Sequence, residues 1–407
     1  MRISTNQFYQ SGLNSILDQQ SKLNRTQQQI ATGERVMTPS DDPVAAISII
    51  NLEREIALTQ RYMVNGEKAT ANLNIEETTL KSVTDILHRV KELVLSAGNP
   101  TYGDTERNIL ATEMENLLQQ LVGLANVKDS SGDYLFSGNS ITTTPYTQDV
   151  AGNFQYNGDQ GERNVQISTN TQLSMGDSGY QLFQNILNGN GDFVASENLA
   201  NTGDGVISPG IVADKSAYVS DTYTITMVDL GAGALGYNVT DSGGATVIPD
   251  TAYVAGTDIS FNGISFNISG TPVIGDEFSI TPSNRQDIFT TLQNAIAALQ
   301  QPTGTTTAAA DQAHRNGALQ RALVDLSQGI EHIGIVHADV GTRLNRLQNQ
   351  NMVNYDFILT SRTTLSTVRD LDMAEAITNL NLQKVGLEAS QASFVRIQNL
   401  NLFNFLR

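Results

Sequence analysis

Gly231-Ala-Gly-Ala-Leu-Gly236 has the G-x-G-x-x-G spacing that lets backbone approach a dinucleotide pyrophosphate. That chemistry needs a helix directly after the loop, with its N-terminus facing the phosphates. Tyr237-Asn-Val-Thr240 follows instead and reads as a strand, so the segment reads as a loop between strands. The histidines are His88, His314, His332 and His337. His332 and His337 are five apart, off the i, i+4 spacing that puts two ligands on one helix face, and no H-E-x-x-H occurs. Asp129-Ser-Ser-Gly-Asp133 and Asn188-Gly-Asn-Gly-Asp192 read as turns rather than calcium loops, because no Glu stands at the twelfth position. A nucleophile elbow and a P-loop are both absent from the sequence. Carboxylates abound, but nothing singles out the two that glycoside hydrolysis needs, so they read as a solvated acidic face. These residues point away from an enzyme and imply no metal and no cofactor.

The 407 residues include 24 Lys+Arg, 42 Asp+Glu, 33 Gly and no Cys or Trp. At about 100–200 residues per domain, that length predicts two to four domains. A net charge of −18 argues against nucleic-acid binding, which needs clustered Lys/Arg. Zero cysteines exclude disulfides and thiolate chemistry. The N-terminus lacks the apolar core of a secretory signal, and no run of about 20 apolar residues predicts a membrane span. Charge is uneven: residues 129–284 hold 17 acidic and 2 basic side chains, or −15 of the −18, and 21 of the 33 Gly. Turn-rich composition therefore fills the middle, and Leu/Ile/Gln-rich composition the two ends.

The ends read as helices. Asp42-Pro43 is a start signal and Gly98-Asn99-Pro100 a stop, with an apolar seam through Ile49, Leu52, Ile56, Leu73, Leu80, Leu87 and Val94 between them. A second helix is expected from Asp104, and a third from Ile288 to Leu299. The longest pattern is Leu319, Leu323, Leu326, Ile330, Ile333, His337, Val340, Leu344 and Leu347, alternating steps of four and three. It continues through Asn351, Asn354, Ile358 and Leu365, which predicts a coiled-coil-like helix with His337 at a core position. Strands are expected at Tyr134–Phe136, Phe154–Tyr156, Val165–Ile167, Tyr223–Val228, Tyr237–Thr240 and Ile259–Ile268, where apolar and polar residues alternate.

The extreme ends carry thin apolar stripes: Leu13, Ile16, Leu17, Leu23 and Ile30, then Ile377, Leu380, Leu387, Phe394, Ile397, Leu402, Phe403, Phe405 and Leu406. Burying five aliphatic side chains yields ~10 kcal/mol. Ordering some thirty residues costs ~30–60 kcal/mol of backbone entropy. A lone terminal helix is therefore marginal, and the ends are expected to be mobile in a monomer and ordered in an assembly.

The fold class expected is α+β: a long-helix, coiled-coil-like bundle formed by both terminal regions, with an inserted β-rich middle domain. The boundaries expected are assembly segments at 1–42 and 369–407, bundle parts at 43–185 and 285–368, and the β-rich insertion at 186–284. Specific residues sharpen this. The opening Met-Arg-Ile-Ser-Thr-Asn-Gln, Ala31-Thr-Gly-Glu-Arg35, Pro39-Ser-Asp-Asp-Pro43, Tyr134-Leu-Phe-Ser-Gly138, Tyr156-Asn-Gly-Asp159, Arg369-Asp-Leu-Asp-Met-Ala-Glu375 and Leu402-Phe-Asn-Phe-Leu406 resemble the marks of the hook-associated protein 3 family of flagellin-like proteins. The resemblance covers roughly residues 1–180 and 285–407. It implies a structural subunit of the bacterial flagellum, exported unfolded by the type III apparatus and held in the cytosol by an export chaperone. It implies an extracellular place at the hook–filament junction, in a ring-like layer of copies between hook-associated protein 1 and flagellin. A flagellin filament subunit is the alternative. A secreted carbohydrate-active enzyme and a glycan-binding adhesin are the readings from other classes.

Overall fold

The computed structural model describes residues 5–99, 101–301 and 307–403. Among the described residues there are six α-helices: α1 (Thr5–Thr32), α2 (Pro43–Ala97), α3 (Asp104–Ala125), α4 (Ile288–Leu299), α5 (Ala308–Arg369) and α6 (Met373–Phe403). The strands lie between α3 and α4, so long terminal helices flank a β-rich middle, the α+β class expected from composition. Two compact units result. The first comprises Met1–Val64 and Asn349–Arg407, and the second Asn65–Gln348, so α2 and α5 each contribute residues to both.

The second unit has two cores. One joins α2, α3, α4 and α5 through Leu73, Leu80, Leu87, Met114, Leu121, Leu292, Leu319, Leu326, Ile333 and Val340, all nearly or fully buried. Leu347 is also buried there, while Leu323, Ile330 and Leu344 are half-buried against it. His337 leaves the heptad seam: its side chain is 39% exposed and stands 4.0 Å from Glu77, while Val336 is buried instead. An imidazole loses hydration on burial and needs partners that this seam of aliphatic side chains does not supply. Segment Leu135–Phe136 is buried in this core but pairs only through a bridge at Lys128↔Tyr134, not as a strand. Tyr156 holds it by directing its hydroxyl at the carbonyls of Phe136 (2.9 Å) and Asp159 (2.7 Å).

The other core lies between two sheets. The larger has the order Thr246–Ala252, Leu235–Thr240, Tyr223–Asp229, Glu277–Pro282, Phe193–Glu197, with antiparallel neighbours throughout. Its inward residues Tyr223, Ile225, Met227, Phe193, Ala195, Phe278 and Ile280 alternate with partly exposed ones, as a half-buried strand requires. The smaller sheet is built on the hairpin Asp258–Phe261 and Ile264–Ser269. Asn262 and Gly263 turn it at φ values of 45° and 75°, the positive pair a tight hairpin demands. Gly231–Gly236 spans the turn between the paired strands Tyr223–Asp229 and Leu235–Thr240, with Leu235 and Gly236 already in the second strand, so no helix N-terminus stands behind it.

Glu197, at the end of its strand, is tied to α5. Its side chain is 1% exposed, and its Oε2 lies 2.5 Å from Arg321 Nη1. Gly317, one turn earlier on α5, leaves the room: a Cβ there would stand 2.6 Å from both Glu197 carboxylate oxygens.

Candidate assembly surface

The first unit is built from α1, α6 and the segments of α2 and α5 that belong to it. α1 and α6 run antiparallel. Tyr9 meets Phe394 edge-on at 6.0 Å between ring centroids, and the Cβ position of Gly386 faces Gln19 at 2.7 Å. On α1 the shielded positions include Tyr9, Gly12, Ile16, Gln19, Leu23, Thr26 and Ile30, and on α6 they include Ala376, Leu380, Gln383, Leu387, Ser390 and Phe394, with Gln29 and Gly386 shielded beside them. Both series step by three and four, the spacing of an antiparallel coiled coil. Small residues admit large ones: a Cβ on Gly12 would stand 2.9 Å from the Phe394 ring.

This seam divides the sequence-derived stripes. Ile16, Leu23, Ile30, Leu380, Leu387 and Phe394 are half-buried along it, whereas Leu13, Leu17 and Ile377 are exposed at 48%, 53% and 48%. Ile397, Leu402 and Phe403 belong to α6 but their side chains are outside the described set, and Phe405 and Leu406 lie outside the described residues.

The two connections at the foot of the seam interlock. α1 ends at Thr32 and is followed by Gly33, whose φ of +74° a side-chain-bearing residue adopts only with strain. The Gly33 carbonyl accepts from Leu371 N–H at 2.9 Å, and Arg35 N–H donates to the Arg369 carbonyl at 2.7 Å, forming a Glu34↔Asp370 bridge. Arg35 Nη2 donates to the Val368 carbonyl at 2.8 Å. Arg369 lies between Glu34 (3.7 Å), Glu53 (3.4 Å) and Asp370 (3.3 Å). Asp42 caps α2 by accepting from Ala45 N–H at 3.0 Å, and Asp372 caps α6 by accepting from Ala374 N–H at 2.9 Å. Backbone N–H bonds from Thr38 and Met37, helped by Arg25 at 2.9 Å, hold the Asp41 carboxyl below the usual range. The Ser366 hydroxyl, with Arg369, does the same for Asp370. Beneath them Val36, Ala45 and Ala46 form a small core with Ile49 and Val368. Segments 31–35, 39–43 and 369–375, read separately in the sequence, thus form one clasp.

Further along, Ile56, Ile358 and Leu365 are buried together, with Ile49, Leu52 and Met63 against them. The sequence reading missed the opposite faces. Val44, Ile47 and Ile50 on α2 are 76%, 62% and 61% exposed, and Met352, Tyr355 and Leu359 on α5 are 55%, 61% and 55% exposed. Their signal was present as apolar residues outside the heptad frame. Leucines exposed singly are ordinary. Repeated apolar side chains along several helices of one unit are a surface built to be covered.

Long terminal helices that pair with each other, an uncovered apolar surface on them and a β-rich insertion between them define a flagellin-like protein. Residues 3–141 match the model of the bacterial flagellin N-terminal helical region. A crystal structure of flagellar hook-associated protein 3 from Legionella pneumophila is 34% identical, with a TM-score of 0.76 over 79% of this chain and 98% of that one. FlgL of Xanthomonas campestris is 30% identical, with a TM-score of 0.72 over 77% of this chain and 99% of that one. Flagellar hook-associated protein 3 of Escherichia coli (strain K12) is 25% identical over 99% of both chains. The chain belongs to the flagellar hook-associated protein 3 (FlgL) family. It is a structural component of the bacterial flagellum and serves motility, not catalysis.

Proposed function

We propose that this chain is the junction subunit that joins the hook, through hook-associated protein 1, to the flagellin filament. It leaves the cell through the flagellar type III apparatus, with a cytosolic chaperone holding its C-terminal region, and forms a ring-like layer of copies outside. The observation that carries this reading is the apolar surface of the first unit: Leu13, Leu17, Val44, Ile47, Ile50, Met352, Tyr355, Leu359 and Ile377 are all at least 48% exposed. Such a surface is costly to leave in water and is relieved when neighbouring subunits cover it. The half-buried seam supports the same mechanism, because a helix pair with one thin apolar stripe is marginal until further surface is buried. Likeness to hook-associated protein 3 along nearly the whole chain, against residues 3–141 for the flagellin N-terminal model, favours a junction subunit over a filament subunit.

Removing residues 380–407 tests the assignment. The second unit keeps its fold by circular dichroism, while incorporation and filament attachment are lost in cells that carry only the truncated chain. Normal motility in those cells refutes the reading. Labelling the full chain on intact flagella gives signal at the filament base; signal along the whole filament indicates flagellin instead.

A further inference from the structure

Glu76 on α2 has 0% exposure in the core of the second unit. Its Oε1 accepts the Asp177 N–H at 3.2 Å, and its Oε2 has no hydrogen-bond partner among the described residues. The Cβ position of Gly176 lies 3.2 Å from that oxygen, so the turn closes over the carboxyl. Asp177, 11% exposed, accepts from Arg343 Nη2 on α5. Arg343, 9% exposed, also pairs with Asp339 at 2.9 Å, and its Nε and Nη1 are buried without hydrogen-bond partners among the described residues. Asp339 is 63% exposed and remains solvated.

Two inward carboxyls therefore share one guanidinium. With both ionised, a surplus negative charge would sit where water cannot screen it. With one proton the group is neutral. Asp177 has the direct contact to Arg343, so the proton belongs on Glu76.

We propose that Glu76, Asp177 and Arg343 form a proton-linked lock, joining α2, the 176–178 turn and α5, that strengthens as the medium acidifies. Burial, and then the charge of Asp177, push the Glu76 carboxyl well above the ordinary carboxylate range, and Arg343 offsets only part of this. The folded-state value is thus raised above the unfolded one. The associated stability is fully present below the ordinary value of 4.5 and is lost as pH rises through the folded value. Inside that window each pH unit changes the folded-to-unfolded ratio by up to about tenfold. Glu77, next to Glu76 on α2, faces His337, six residues before Arg343 on α5, at 4.0 Å, and they are the neighbouring titratable pair.

The test is urea unfolding of the full chain from about pH 5 to about pH 9, for the wild type, Glu76→Gln and His337→Gln. The wild-type midpoint falls as pH rises, and His337→Gln preserves that slope. Glu76→Gln, of the same shape and uncharged, flattens the slope and lies above the wild type at the alkaline end. A Glu76→Gln slope equal to that of the wild type overturns the proposal. Infrared difference spectra of the folded proteins across the same pH range give an independent readout. A buried carboxylic-acid band that the wild type loses as pH rises and that Glu76→Gln lacks supports the lock, and its absence from the wild type throughout the range refutes it.

Discussion

Replacing Arg321 by Met leaves Glu197 without its cation while keeping most of the apolar stem in place. Glu197 is 1% exposed, so water does not substitute for the lost guanidinium at 2.5 Å. Removing one partner of a buried pair costs about 3–5 kcal/mol. Arg321 is itself 27% exposed, so the expected loss lies at the low end of that range, ~3 kcal/mol. At about 2–4 °C per kcal/mol for a unit of this size, the melting temperature of the second unit drops by roughly 6–12 °C. Pairing the change with Glu197→Gln recovers most of it, because two neutral partners leave no orphaned charge. Gly317→Ala belongs to the same experiment. Alanine favours a helix by about 1 kcal/mol, yet a Cβ at 2.6 Å from the Glu197 oxygens displaces the paired carboxylate. The change destabilises the wild type and stabilises a Glu197→Ala background. Thermal unfolding followed by circular dichroism reads all of these. A loss below ~1 kcal/mol for Arg321→Met at pH 7 refutes the buried-pair argument.

Two further outcomes separate the seam from the outer face. Leu23→Ser with Leu387→Ser removes two half-buried side chains, at about 1 kcal/mol each, and lowers hydrogen-exchange protection along α1 and α6 in the isolated protein. Leu13→Ser with Leu17→Ser leaves that protection unchanged and blocks incorporation into flagella; equal effects of the two pairs in the isolated protein would show that they share one face. Gly33→Ala, at a φ of +74°, costs about 1 kcal/mol and speeds exchange of the Leu371 amide that donates to the Gly33 carbonyl. Unaltered exchange there means that the clasp does not depend on the left-handed turn.

Helix starts and stops were legible because they are local. Asp42-Pro43 and Gly98-Asn99 bracket α2, and Asp104 opens α3. The strands Tyr223–Asp229 and Leu235–Thr240 followed from alternation, which is also local, whereas the run Ile259–Ile268, read as one strand, folds at Asn262 and Gly263 into a hairpin of Asp258–Phe261 with Ile264–Ser269. The heptad from Leu319 reached Leu365, but His337 broke it, since a ring nitrogen needs partners that a count of positions does not register. The terminal stripes were visible as apolar residues and ambiguous as faces. Leu13 and Ile16 are three apart on one helix, yet one stays exposed and the other enters the seam.

By itself the sequence determined the helical ends, the β-rich middle, the apolar spacing and the family marks, all of which are properties of short stretches of chain. Only the tertiary structure decided that residues 31–43 meet residues 369–375 in one clasp, that Glu197 finds Arg321, and that Glu76 stands buried beside Asp177 and Arg343. The reason is physical: an unpaired carboxylate and a salt-bridged one are spelled with the same letter, and what separates them is the dielectric and the neighbours that folding supplies from distant parts of the chain.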